Sequence, residues 1–306
     1  MPIYDQGYRR WEGRYEPRGV RWLIIAQDSL RHVFRGKPIK VLLGIGMLVF
    51  LMWTARLYIS VNFDTLVERL PFLPHVEPIR EALTTINARF YGDFMRIECG
   101  FVVFIVFIAG SALIADDRRN RALSLYLSKP LSRVDYLFGK GAGVAMPIAC
   151  LTLVPCLLLY LLHAMFTDRW SLLFRNAEIL TAILVYSMIL MISGTVVILA
   201  ISSLTKQGRY ASLGYIVLVV GAPILQSILQ ETLRRTPLEG SLGSPNLKMI
   251  SLVSVWQRLQ IALFDMELTR EYRGFGTGWA VVGLVLFIGV SLWILHKRVR
   301  ALDIVE

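Results

Sequence analysis

Long apolar runs with almost no charge recur six times along this 306-residue chain. An α-helix needs about 20 apolar residues to cross a bilayer core that is about 30 Å thick. A soluble fold does not account for six such runs. The sequence therefore predicts an all-α integral membrane protein with one domain, residues 1–306. Its six transmembrane helices are predicted at residues 41–63, 99–115, 141–162, 179–205, 210–230 and 274–295.

Basic residues are distributed unevenly between the segments that flank these runs. Segments rich in Lys and Arg tend to remain in the cytoplasm. With both termini inside, the cytoplasmic segments hold 20 Lys and Arg residues and the opposite segments hold 12. We therefore expect both termini in the cytoplasm. The net charge of +11 then reflects topology and contact with anionic membrane lipid, and no nucleic-acid partner is expected.

Charged residues inside the runs are few. Arg56 lies near one end of the first run, where it could extend to the interface or pair with Glu98 at the start of the second run. The centres of all six runs lack Asp and Glu. Because transporters driven by an ion gradient usually carry such acids, this absence argues against that class.

The segment between the second and third runs, residues 116–140, predicts a short amphipathic helix. It opens with two acidic residues, which suit a helix N-terminus, and its apolar positions recur at helical spacing before Pro130. Those positions are Leu123, Tyr126 and Leu127. The residues alone leave two interpretations open: a helix that rests on the inner leaflet, or a helix that docks onto another protein.

Residues 127–140 read Leu-Ser-Lys-Pro-Leu-Ser-Arg-x-x-Tyr-Leu-x-Gly-Lys, which is similar to the cytoplasmic loop of ABC-2 type exporter permeases. The resemblance implies a cytoplasmic tail and interfacial elbow helix within residues 1–40, a coupling loop at 116–140 and an enlarged outer loop at 231–273. The polar opening, residues 2–11, more weakly resembles the branch that includes the permease for nitrous oxide reductase maturation.

The same resemblance implies the permease subunit of an ATP-binding cassette exporter in the bacterial inner membrane. It implies an ABC ATP-binding subunit, which holds ATP and Mg²⁺, and a second permease copy or paralogue as partners. An ion-gradient-driven secondary transporter is the alternative. The residues expected to contact the ATP-binding subunit are Arg118, Arg119, Arg121, Leu123, Tyr126, Leu127, Pro130 and Arg133.

Catalytic and metal-binding motifs are not found in the sequence. Gly139-Lys140-Gly141 lacks the upstream glycine and the following hydroxyl of a phosphate-binding loop. The four histidines are scattered without metal-ligand spacing, and no cluster of polar groups indicates a membrane transferase. We therefore expect no catalytic, cofactor-binding or metal-binding residue in this chain, and no enzyme activity.

Four further features of the sequence support predictions. Residues 22–34 predict an interfacial helix, and Gly139 and Gly143 form a small-xxx-small pair that allows another helix to approach closely. The apolar stretches of the outer loop are too short to span and predict re-entrant or interfacial pieces. Candidate residues for an outer gate are Gln226, Gln230 and Trp256, although the two glutamines fit a capping role at the interface more simply.

Overall fold

The computed structural model describes residues 21–63, 65–66, 84–110, 113–119, 132–168, 170–171, 175–234, 244–268, 272 and 274–300. Every regular element within these residues is helical. Six helices are long and apolar enough to cross a membrane: Lys37–Val61, Ala88–Asp117, Arg133–Phe166, Ala177–Leu204, Gly208–Thr232 and Thr277–Arg298. The predicted all-α membrane fold with six spanning helices is confirmed.

Two helices separated by a single residue open the described chain. Helix α1, Arg21–Arg35, is amphipathic, and helix α2, Lys37–Val61, is the first spanning helix. Gly36 separates them, and Pro38 occupies the first turn of α2, where the missing N–H leaves no helical hydrogen bond unmade.

The second spanning helix is longer than its uncharged run. Helix α3 covers Ala88–Gly110, and the short helix α4 follows at Ala115–Arg119. The predicted start at Cys99 fell eleven residues late, because Arg96 and Glu98 interrupted the uncharged run. The extra turns are apolar on the buried side, where Phe90, Tyr91, Phe94 and Met95 lie in the core.

The third spanning helix is interrupted near its middle. Helix α5, Arg133–Leu151, ends at Thr152, and helix α6 continues over Leu153–Phe166. Pro155 lacks an N–H, so it cannot bond to the carbonyl four residues earlier in the chain. At the break, the backbone N–H and the hydroxyl of Thr152 both donate to the carbonyl of Ile148, each at 2.9 Å.

The remaining spanning helices differ in regularity. Helix α7, Ala177–Leu204, is uninterrupted, whereas the fifth span consists of α8, Gly208–Ile216, a π-helical turn at Val217–Gly221, and α9, Ala222–Arg234. The π-turn ends two residues before Pro223, whose missing N–H cannot continue the α-helical hydrogen-bond pattern. A 3₁₀ helix at Ser244–Ile250 leads to α10, Leu252–Leu263, and the last span is α11, Thr277–Arg300.

The spans form an inner and an outer layer. In their most apolar windows, the second, third and fourth spans are 56%, 50% and 61% buried, whereas the first, fifth and sixth are 17%, 17% and 22% buried. Helix α7 packs against α3, α5, α10 and α11, so it lies at the centre of the bundle. The outer spans expose long apolar faces, which suit lipid or another membrane chain.

Candidate functional site: the base of the loop between the second and third spans

The segment expected to dock onto a partner lies mostly outside the described residues. Those outside are Arg121, Leu123, Tyr126, Leu127 and Pro130, together with the side chain of Arg118. Arg119 is exposed at the end of α4, and Arg133 is half-buried at the start of α5. The structure thus describes the two ends of segment 116–140. We call the end of the bundle where α4 and the start of α5 lie the loop end.

A buried ion pair joins these two ends. The Lys140 ammonium lies 2.7 Å from Oδ2 of Asp117, and their side chains are only 7% and 15% exposed. The Tyr136 hydroxyl donates to the same oxygen at 2.8 Å. Hydrogen bonds to an ionised acceptor are stronger than neutral ones, and a buried charge that loses its partner is costly. Asp117 therefore connects α4 firmly to α5, and we call these three residues the clamp.

The fourth span holds the other side of α4. The hydroxyl of Ser202 on α7 accepts hydrogen bonds from the backbone N–H groups of Ile114 and Ala115, at 3.2 and 3.0 Å. N–H groups at a helix start have no partner within their own helix. Ser202 therefore acts as a helix cap supplied by a different helix, and it fixes the start of α4 to α7.

A capping box fixes the start of α5. The hydroxyl of Ser132 accepts from the backbone N–H of Asp135 at 3.1 Å, and the Asp135 carboxylate accepts from the backbone N–H of Ser132 at 3.2 Å. This reciprocal pair satisfies two N–H groups at the helix terminus. The Ser-x-x-Asp pattern is readable in the sequence, so this feature could have been predicted.

Helix α1 packs against the first half of α5 through two glycines. A Cβ on Gly139 would lie 2.6 Å from Cβ of Ile25, and a Cβ on Gly143 would lie 2.9 Å from Cβ of Ser29. Ile25, Ser29 and Val33 are buried on this face. The small-xxx-small pair thus permits close helix approach, and its partner is the amphipathic helix α1.

The three gate candidates lie around α10, away from the clamp. Trp256 is fully buried, and its Nε1 donates to the Ser193 hydroxyl of α7 at 2.8 Å. Gln226 of α9 accepts from the hydroxyl of Ser254 at 3.4 Å, and Gln230 is half-buried on the same helix. Gln226 and Trp256 thus belong to one packed region in which α10 joins α7 and α9.

Further hydrogen bonds fix α10 in place. The Gln260 amide donates to the carbonyl of Gly92 in α3, and the Arg258 Nε donates to the carbonyl of Phe275, both at 2.6 Å. Arg258 and Gln260 are both buried. Side chains of α10 therefore satisfy carbonyls of α3 and of the segment before α11.

The expectation that no span contains a central acid is wrong. Glu98 lies within the second span, Ala88–Asp117, because that helix starts before the uncharged run. Its side chain is fully buried, and neither carboxyl oxygen has a hydrogen-bond partner among the described residues. Arg56, the pairing partner considered above, lies over the rings of Phe90 and Trp53 instead. The absence of acids from the spans therefore no longer argues against an ion-driven transporter.

In the described part of the chain, no group of three or more His, Cys, Asp or Glu side chains is arranged to hold a metal ion. The free cysteines Cys99 and Cys156 are buried in the spans, and Cys150 is exposed.

Comparison with known proteins agrees with this architecture. No curated protein matches the chain at a significant level. Residues 39–264, which extend from the first span through α10, match the family described as ABC-2 family transporter protein. That match covers the first five spans, the clamp, Glu98 and the buried α10. The chain therefore belongs to the ABC-2 transporter family and is a multi-pass membrane protein, a permease of an ABC transporter.

Proposed function

We propose that this chain is the membrane subunit of an ATP-driven exporter in the bacterial inner membrane. It forms the pathway with a second copy or a paralogue, and each permease engages one ATP-binding subunit that holds ATP and Mg²⁺. Both termini lie in the cytoplasm, and the chain itself is no enzyme and binds no cofactor. Permeases of this family typically work with an ATP-binding subunit, which supports the proposal.

The observation that carries the proposal is the clamp between Asp117, Lys140 and Tyr136. A segment that docks onto a moving ATPase can drive the spans only if both of its ends are rigidly attached to them. Asp117 is joined to α5 by the clamp, and the neighbouring backbone is joined to α7 by Ser202. Movement of segment 116–140 therefore passes directly to the second, third and fourth spans.

The composition of the segment supports a protein partner. At helical spacing Leu123, Tyr126 and Leu127 would share one apolar face, and basic residues flank them in the sequence. Apolar anchors surrounded by charge are typical of a protein interface, in which charge complementarity sets orientation. The partner surface is accordingly an apolar cleft with an acidic rim. The basic residues concerned are Arg118, Arg119, Arg121 and Arg133.

Affinity purification of the tagged chain from native membranes tests the proposal. A stoichiometric ATP-binding subunit is expected, and it should be lost when Leu123, Tyr126 and Leu127 are all changed to Asp. The matched control reverses Lys206, which is exposed in the turn between α7 and α8, and Arg209, which is exposed at the start of α8. The control variant should retain the subunit. Purification without any ATP-binding subunit under gentle extraction would overturn the proposal.

A second candidate function, ion-gradient-driven transport, has Glu98 in its favour. A buried acid without a hydrogen-bond partner inside a span is typical of sites that bind and release a proton or a cation. Reconstituted vesicles separate the two candidates, because ATP should drive transport by an exporter even when an ionophore has collapsed all ion gradients. Transport that stops with the ionophore and ignores ATP supports the second candidate.

A further inference from the structure

A cleft lies at the end of the bundle opposite the loop end, which we call the far end. Helix α3 begins there, and the second span reaches the loop end at Asp117. The cleft lies between α3 and the segment that follows α10. Its volume of about 190 Å³ leaves room for several water molecules. The residues that line it are Arg89, Arg96, Met266, Glu267 and Leu268.

A glycine of α3 brings the two walls of the cleft together. A Cβ on Gly92 would lie 2.7 Å from Sδ of Met266 and 3.0 Å from Cβ of Phe264, so a side chain there would displace the segment after α10. The Gln260 amide donates to the carbonyl of Gly92. Asp265, with a φ of 46°, lies in the turn that leads from α10 to Met266. Packing and a buried hydrogen bond therefore fix the floor of the cleft.

Two arginines flank this glycine contact. Arg89, Gly92 and Arg96 follow one another at spacings of three and four residues, which places them on one face of α3. The Arg89 side chain is 54% exposed, and the Arg96 side chain is 47% exposed. Both guanidinium groups thus line the same cleft and are accessible to a ligand.

Neither guanidinium group has a strong acceptor among the described residues. Arg89 lies 3.5 Å from Oε1 of Glu267, whose side chain is 87% exposed. Arg96 lies 3.9 Å from Oδ1 of Asp93 and 3.8 Å from the sulfur of Met266, which is a weak acceptor. A charge-assisted hydrogen bond to a carboxylate is usually about 2.7 to 2.9 Å long. Solvent also screens exposed pairs, so most of these N–H donors are available to a stronger acceptor.

We propose that this cleft binds a phosphate group, carried as a phosphomonoester by a lipid or by a small solute. The planar guanidinium group donates two parallel hydrogen bonds to phosphate oxygens. A phosphomonoester carries a charge of about −1.5 to −2 and three free oxygens, so it can serve Arg89 and Arg96 together. A carboxylate, with one charge and two oxygens, matches a single arginine. The exposed Glu267 side chain turns into solvent when the phosphate binds.

The level of the cleft fits a lipid headgroup. Ile97 directly follows Arg96 and is exposed, as is Phe104 two turns further along α3, so the lipid-facing apolar surface of this helix begins at Arg96. Trp279 is exposed in the first turn of α11 at the same far end, and tryptophan favours the headgroup level. Arg96 thus lies where phosphate groups of a bilayer meet its apolar core. Leu268 offers an apolar edge to an acyl chain.

Native mass spectrometry of the purified full chain, released from detergent, tests the proposal. Dioleoyl phosphatidic acid, which carries a phosphomonoester, should bind saturably, whereas dioleoylglycerol, which lacks the phosphate, should not. Arg96→Gln should weaken binding about tenfold, because a charged pair of donors is lost. Arg96→Lys should weaken it about threefold, since the charge remains without the planar fork. Arg175→Gln is the matched control, because Arg175 is exposed at the far end just before α7, and it should bind as the natural sequence does.

A gain of affinity excludes misfolding as the explanation. Glu267→Gln removes the acid that competes for Arg89, so it should tighten the binding of phosphatidic acid about threefold. Weaker binding by this variant would contradict the proposal.

Chemical protection in the unaltered chain distinguishes a lipid from a solute. Phenylglyoxal modifies accessible arginines, and mass spectrometry locates them. Phosphatidic acid in nanodiscs should protect Arg89 and Arg96 but leave Arg175 reactive. Protection by methyl phosphate as well would show that the phosphomonoester alone suffices, and protection by phosphatidic acid alone would assign the phosphate to a membrane lipid. Protection by neither, or equal losses of binding in Arg96→Gln and Arg175→Gln, overturns the proposal. The ATP-binding subunit takes no part in these measurements, so their outcome is independent of the exporter proposal.

Discussion

Lys140 and Asp117, 23 positions apart in sequence, form an ion pair of 2.7 Å at the base of the segment that connects the second and third spans. The pair is largely shielded from solvent, and the hydroxyl of Tyr136 completes it. A buried pair of this kind adds little or no net stability compared with well-packed apolar residues, but removing one of its charges leaves the other buried without a partner at a large cost. Its position indicates a role in holding the segment in one orientation.

Replacing Lys140 by Met should strongly destabilise the protein. The Asp117 carboxylate would remain buried without its cationic partner, which lowers the free energy of unfolding by about 3 kcal/mol. The double variant Lys140→Met with Asp117→Leu should recover much of this loss, because no buried charge then remains. Thermal unfolding of the purified chain in one detergent measures all three proteins.

The exposed pair between Arg89 and Glu267 is the matched control for the clamp. Its atoms are 3.5 Å apart, and the two side chains are 54% and 87% exposed. Arg89→Met should change stability by less than about 1 kcal/mol, since solvent screens such pairs. Equal losses in Lys140→Met and Arg89→Met would show that the clamp has no special energetic role.

Gly139→Val should detach helix α1 from α5. Even its Cβ would lie 2.6 Å from Cβ of Ile25 and 3.0 Å from the carbonyl oxygen of Trp22, so the backbone of α1 has to move. Trypsin should then cleave after Arg31 roughly tenfold faster, because local opening exposes the helix.

Gly100→Val is the control for this substitution, because a Cβ there meets nothing within 4 Å. Both variants place the same side chain on a spanning helix, so they differ in packing alone. Unchanged cleavage in Gly139→Val would mean that α1 is held by contacts elsewhere.

The apolar pattern predicts the spans well because lipid imposes length and composition on each helix separately. The start of α3 was missed because a criterion based on uncharged runs stops at Arg96 and Glu98. A charged residue does not end a helix whose backbone bonds are all satisfied, and Glu98 remains inside the span. Helix bounds thus depend on hydrogen bonding, which composition reports only indirectly.

Features of the site were harder to predict where they join distant parts of the chain. The sequence places Gly139 and Gly143 on one face, which predicts a close helix contact, but it does not identify α1 as the partner. The pairs Asp117 with Lys140 and Ser202 with Ile114 depend on tertiary structure. Local sequence patterns do not reveal which residues of different helices pair, because such pairs form only when the helices pack.

Ser202→Ala should loosen the start of α4 without unfolding the bundle. The N–H groups of Ile114 and Ala115 lose their shared acceptor, which costs about 1 to 2 kcal/mol. Hydrogen–deuterium exchange at these two amides should accelerate about tenfold, while α7 stays protected.

Ser212→Ala is the comparison for Ser202, since the Ser212 hydroxyl donates to the Gly208 carbonyl of its own helix. Because this hydrogen bond lies entirely within α8, its loss should leave exchange unchanged at residues 114 and 115. Acceleration in both variants would point to a general loss of stability instead of a lost cap.

Ser193→Ala should destabilise the packing of α10 on α7. The Trp256 indole N–H is fully buried and donates to Ser193 at 2.8 Å, so the substitution leaves a buried donor without its acceptor. The expected cost is about 1 to 3 kcal/mol, measured by thermal unfolding. Trp256→Phe in the Ser193→Ala background should cost less than the two single losses added together, because the unpaired N–H is removed as well.

Trp279→Phe, at a tryptophan that is 45% exposed, is the control and should leave stability nearly unchanged. Additive losses in the double variant would show that the two side chains contribute independently, and that this hydrogen bond does not hold α10 in place.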